Sequence, residues 1–158
     1  MKWQEVIEHP SLQDLPFKIE LNEHGKIEMS PASNRHGRLQ GIIYSLLGQY
    51  PGELYLECSI NTSKGVKVAD VAWCSPDFFN QYGEITPLPA SPEIWIEILS
   101  PSNSQGEMKE KISLYLAQGA QEVWLCDNEG NIEFHTSEGV SSKSLLLHDF
   151  PKNIFEKG

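Results

Sequence analysis

The stretch Pro92–Asp127, PEIWIEILSPSNSQGEMKEKISLYLAQGAQEVWLCD, constrains this chain more than any other. Its opening, PEIWIEILS, is apolar and isoleucine-rich, the composition of a strand buried on both faces. Glu97 breaks the pattern in the middle of it, between Ile96 and Ile98. A buried, unpaired carboxylate costs several kcal/mol, so this one must find a partner, take up a proton or bind a cation. Turn formers follow (Ser100–Asn103), then a segment in which Met108, Ile112, Tyr115 and Leu116 mark one face of a helix and Gly119 suits its C-cap. EVWLCD reads as a second buried strand. Strand, helix and strand at this spacing predict a βαβ unit with parallel strands, whose ligands gather at the strands' carboxyl ends. Glu97 lies near that end, and Lys111, early in the helix, is placed to reach back towards it.

The rest of the chain adds a second interruption of the same kind. FKIEL and KIEM, joined by Asn22–Gly25, predict a hairpin. Leu39, Ile42, Ile43, Leu46, Leu47 and Tyr50 form an amphipathic stripe on a helix from about Arg35 to Tyr50, closed by Pro51-Gly52. ELYLECSI alternates as a half-buried strand with Leu54, Leu56, Cys58 and Ile60 inward. VKVADVAW is the next strand, and Asp70 breaks it as Glu97 breaks its own. IEFHTS extends the sheet antiparallel, and SLLLHDF is a last strand or tail. The order predicts an α/β fold, a mixed sheet flanked by two main helices, with residues 1–158 as one domain.

Two carboxylates on neighbouring apolar strands cannot both stay ionised without help if they approach within a few ångströms. A divalent metal is the usual help, and Mg²⁺ (or Mn²⁺) suits a site of one or two carboxylates that leaves room for water and phosphate. Such an ion activates water and neutralises charge on a phosphodiester under attack. Lys111 is the candidate to steady the phosphate or orient the water. Lys109, about 160° away on a helix of 3.6 residues per turn, is expected to be solvated.

Composition narrows the alternatives. A net charge of −10 argues against a general nucleic-acid binder, although Arg35, Arg38, Lys64 and Lys67 cluster where only Glu53 and Glu57 oppose them. No apolar run approaches the roughly 20 residues that span a bilayer, so no membrane partner is expected. Cys58, Cys74 and Cys126 cannot all pair, and each lies in an apolar strand. Buried free thiols in a reducing cytoplasm are the expectation. Trp73, Trp95 and Trp124 are expected in the core.

The motifs ADV, IEILSPSN, E-x-x-x-K-x-x-x-Y and G-x-x-EVWLCD, with GKIEMSPASNRHGRLQGIIYSLL upstream, resemble the Uma-type (Uma-two) family. That family is classed with restriction endonucleases in the PD-(D/E)-x-K nuclease superfamily, and the similarity runs from about Ile19 to Ile154. It implies a restriction-endonuclease-like mixed β-sheet flanked by helices, and a metal-dependent DNA endonuclease. Asp70 takes the place of the first acid and Glu97 that of the second, with the Ile98 carbonyl helping to bind metal. The chain departs from the superfamily pattern at Leu99, where lysine is expected; the resemblance implies that Lys111 replaces it from the helix. Arg35, His36 and Arg38 are the candidates for nucleic-acid contact, and cleavage of both strands implies a homodimer. The alternative reading is a non-catalytic module on the same fold, binding nucleic acid or a protein.

Overall fold

The computed structural model describes residues 1–101 and 103–156; Ser102, in the expected Ser100–Asn103 turn, lies outside them. A short helix α1 (Trp3–Glu8) and a 3₁₀ turn (Pro10–Leu12) lead into the hairpin β1 (Phe17–Leu21) and β2 (Ile27–Pro31). Helix α2 (Asn34–Leu47) follows, then β3 (Glu53–Thr62), β4 (Gly65–Cys74), a short α3 (Pro76–Tyr82), β5 (Ile94–Ile98), α4 (Gln105–Ala117), β6 (Glu122–Cys126), β7 (Ile132–Thr136) and β8 (Gly139–Ser141). β1 and β2 pair only with each other, while β3 to β8 form one sheet in chain order. Among the described strands, only β5 and β6 pair in parallel. This is the βαβ unit expected from Pro92–Asp127, and the mixed sheet is the expected architecture.

Helix α2 is capped by Ser33, whose hydroxyl accepts the His36 N–H, and its apolar stripe buries Leu39, Ile43 and Leu47. These pack with Val71, Trp73, Ile96, Ile98 and Trp124 on one face of the sheet. On the other face, Met108 and Tyr115 of α4 pack with Ala72, Trp95, Val123 and Leu125. The rings of Trp95 and Tyr115 stack with centroids 3.6 Å apart and planes 9° from parallel. Burying such a side chain stabilises the fold by on the order of 2–3 kcal/mol. The three candidate core tryptophans are buried, and so are the three free cysteines.

One open reading is resolved and one expectation is corrected. Of strand or tail, SLLLHDF is a tail: it runs through bends and turns, with Ser144, Leu147 and Phe150 buried. The even-numbered residues of β3 do not share one face. Leu54 packs on the α2 side, Leu56 is exposed, and Cys58 and Ile60 pack on the α4 side. The cause is Glu57, whose φ of 51° is left-handed and reverses the pleat. β4 reverses opposite it. Ala69 faces α4, whereas Val71 and Trp73 face α2. Asp70 lies at the reversal.

Hairpin β1–β2 sits against the first half of β4, beyond the residues that β5 pairs (Val71–Trp73). Two features hold it there. Glu20 accepts the Val68 N–H at 2.7 Å. Gly65, at φ 94°, lets Leu21 and Asn22 approach so closely that any Cβ there would collide with their backbone. No helix among the described residues is long and apolar enough to cross a membrane.

Candidate active site

Asp70 and Glu97 lie on adjacent strands, one step beyond the last paired residues, Val71 and Ile96. Both are buried, at 1% and 6% exposure. One amine joins them, and it is Lys18 of β1: its Nζ lies 3.0 Å from Glu97 Oε2 and 3.3 Å from Asp70 Oδ1. One ammonium thus bridges Asp70 Oδ1 and Glu97 Oε2. Lys18 reaches them because β1 runs antiparallel along β4. Glu20 meets Val68, and Lys18, two residues earlier on the same face, meets Asp70 two residues later.

Each acid is oriented by its own strand and the elements over it. The Trp95 indole N–H donates to Glu97 Oε1 at 2.9 Å, and burial, with Glu97 nearby, raises the Tyr115 hydroxyl well above its ordinary range. The Ile98 N–H donates to Asp70 Oδ2 at 2.8 Å. On the pleat reversal, Gln40 of α2 replaces the ladder: its Nε2 donates to the Asp70 carbonyl and to Glu57 Oε1, both at 2.7 Å. His36 Nε2 lies 3.3 Å from Asp70 Oδ1. Asp70 Oδ1 nevertheless has no well-aligned hydrogen bond, although it is buried.

The electrostatics follow from crowding. Burial pushes the Glu97 carboxyl up to about 7; Lys18 opposes this, while Asp70 and Glu20 add to it. For Asp70, burial also acts upward, but Lys18, His36 and the Ile98 N–H outweigh it and hold the carboxyl well below its ordinary range. Burial acts to lower Lys18, yet Glu97, Asp70 and Glu20 outweigh it, and the ammonium is held charged. His36 is raised, first by the Asp70 carboxylate 3.3 Å from its Nε2.

These groups line a cavity of about 300 Å³ together with Ser30, Ser100, Asn103, Glu107 and Lys111. Lys111 is half-buried on its rim, and its Nζ lies 3.3 Å from Glu107 Oε1, one turn earlier in α4. Lys109 is exposed, as expected. Ile98 is on the wall, with its amide turned to Asp70. Of the candidate nucleic-acid contacts, only His36 joins this cluster. The Arg35 guanidinium donates to the Asn128 carbonyl at 3.1 and 2.7 Å, and both Arg35 and Arg38 lie over the Phe155 ring, at 5.0 and 5.1 Å.

Among the described residues no group of three or more His, Cys, Asp or Glu side chains is placed to hold an ion. Two carboxylates facing an open cavity match Mg²⁺, which takes one or two and keeps its waters. Glu122 offers an internal contrast. It is as buried as Glu97, at 2%, and likewise takes an indole N–H, from Trp124 at 2.9 Å. Its other oxygen accepts the Leu145 and Leu146 N–H groups, so neutral donors satisfy it and it anchors a loop. Asp70 and Glu97 are left with a lysine and a cavity.

The family described as "Putative restriction endonuclease", Uma2, matches residues 3–151. The chain belongs to the Uma2 family. Among solved structures, this Uma2 chain is similar to a "putative nuclease belonging to DUF820" from Anabaena variabilis ATCC 29413. The TM-score is 0.63 at 25% identity, covering 86% of this chain and 82% of that one. No curated protein matches. Uma2 membership and the likeness of fold support a nuclease function in general terms.

Sequence reasoning missed Lys18 and Glu20. In FKIEL they occupy the polar positions of an alternating strand, which ordinarily face solvent. The available signal was the family pattern itself: without a lysine at Leu99, another cation has to reach the acids.

Proposed function

We propose that this chain is a metal-dependent DNA endonuclease that hydrolyses phosphodiester bonds at the Asp70–Glu97 site. The observation that carries the reading is an excess of buried negative charge. Glu20, Asp70 and Glu97 are buried around one lysine, and Asp70 Oδ1 is buried without a well-aligned hydrogen bond. Such a pocket favours a further cation.

Asp70 and Glu97 would hold the ion, with the Ile98 carbonyl as a third oxygen. The chemistry a divalent ion supplies when bound is activation of water and neutralisation of charge on the phosphate. The protein's own part is orientation. Trp95 fixes Glu97; the Ile98 amide and Gln40 fix Asp70. Lys111, on the cavity rim, would meet a phosphate oxygen by exchanging its Glu107 partner. His36 opens to the same cavity. Three buried thiols suit a reducing cytoplasm, and two copies would be needed to cut both strands.

One observation favours the second reading, a non-catalytic binding module. Lys18 already stands between the two acids, as a permanent structural counter-ion would. The deciding experiment is Mn²⁺ titration by calorimetry beside a plasmid-nicking assay, on the wild type and Glu97→Gln. A nuclease binds Mn²⁺ and nicks, and loses both in the variant. A wild type that folds but takes up no Mn²⁺ and leaves plasmid intact is the binding module.

A further inference from the structure

Lys18 is unlike the other basic residues of the site. Its Nζ touches both acids, its side chain is 14% exposed, and it comes from a hairpin outside the main sheet. Lys111, by contrast, is 32% exposed and held by Glu107 on its own helix. The Lys18 ammonium therefore occupies the space between Asp70 Oδ1 and Glu97 Oε2, which is the space a shared cation needs. A lysine and a divalent ion cannot both hold those oxygens at contact distance, because like charges that close repel.

Displacement of Lys18 has an obvious direction. Its four-carbon stem is flexible, its backbone is fixed by the Glu20 and Gly65 contacts, and the cavity opens beside it. An ammonium turned from the acids into that cavity remains beside the position of a phosphate held at the site. We infer that Lys18 is a further catalytic residue: it holds the cation position between Asp70 and Glu97 in the metal-free protein and, once displaced by a divalent ion, contacts the phosphate of the substrate. This rests on the metal-site reading above.

The two roles give the residue opposite effects on binding and on turnover, which a merely structural counter-ion does not. Lys18→Met removes the competing charge but keeps the stem. Mn²⁺ binding by calorimetry without DNA should tighten about tenfold, the equivalent of about 1.4 kcal/mol. Metal-dependent nicking of plasmid should slow about a hundredfold, as when one charge-stabilising donor is lost. Unchanged or weaker Mn²⁺ binding overturns the inference, and so does tighter binding with undiminished nicking. Lys18→Arg covers the case in which the methionine variant does not fold. A guanidinium grips carboxylates with a fixed fork, so Mn²⁺ should bind about tenfold more weakly than to wild type; equal affinity overturns the inference. If wild type binds Mn²⁺ and nicks while the Lys18 variants behave as it does, the inference alone fails. If wild type does neither, the metal-site reading fails and takes the inference with it.

Discussion

Glu97→Gln separates the electrostatic burden of the site from its packing. The Glu97 carboxyl ordinarily titrates at 4.5 and is pushed up to about 7, by burial first and by Asp70 and Glu20 next. At about 1.4 kcal/mol per tenfold difference in proton affinity, ionising it in the folded, metal-free protein works against the fold by on the order of 3 kcal/mol. The sign follows from proton binding. The folded protein holds this proton more tightly than the unfolded chain, so the stabilisation is complete below pH 4.5 and is lost as pH rises through about 7. Glutamine keeps the shape and cannot ionise. His36 and Glu57 are also raised, His36 by the adjacent Asp70 carboxylate and Glu57 by burial. They add slopes of the same sign to both proteins and largely cancel in the difference. Urea melts in chelator, from pH 4.5 to about pH 8, should show wild type losing on the order of 3 kcal/mol more stability than Glu97→Gln. Parallel curves for the two proteins would refute the assignment of Glu97 as a strained acid.

Four further outcomes are expected. Lys111→Ala should slow plasmid nicking by about tenfold to a hundredfold with Mn²⁺ affinity kept, whereas the exposed Lys109→Ala should change neither; equal effects would remove Lys111 from the site. Asp70→Asn should abolish Mn²⁺ binding by calorimetry. It should also flatten acid denaturation, because the lowered Asp70 carboxyl contributes stability that is present above its ordinary 3.8 and lost as pH falls. Gln40→Leu strips the Asp70 carbonyl of its donor and should cost about 1–3 kcal/mol in a denaturant melt; a neutral result would mean that water replaces the amide. Gly65→Ala, at φ 94° with the Leu21 and Asn22 backbone in the way, should destabilise by at least about 1–3 kcal/mol and weaken the docking of β1, read as faster amide exchange at Val68.

The part of the site that lies within continuous apolar strands was legible. Glu97 among isoleucines and Asp70 in VKVADVAW each break a pattern, and a break in a buried strand demands a partner whatever the fold. The βαβ unit was legible for the same reason: its strands are short, buried and separated by one amphipathic helix. What was not legible depends on contacts between distant segments. Lys18 and Glu20 look like the wet side of a hairpin until β1 is laid along the unpaired half of β4. Glu122 opens EVWLC at a strand end, where an acid attracts no notice, yet two amides more than twenty residues later bury it. The pleat reversal at Glu57 and Asp70 defeats alternation outright. A left-handed glutamate inside a strand has no compositional signature, and Gln40, which compensates for it, comes from the preceding helix.

The paired indole–carboxylate arrangements at Trp95–Glu97 and Trp124–Glu122 bear on how such sites arise. In both, an aromatic ring two positions away carries a polar side chain through an oily strand, so the sheet can host an acid before that acid has any task. Whether it becomes a rivet or a reactive group is decided afterwards by what the neighbouring segment offers its free oxygen. Amides close the account at Glu122. At Glu97 the lysine of a separate hairpin takes that place, so the same indole-held acid serves as a loop anchor in one strand and lines a charged cavity in its neighbour.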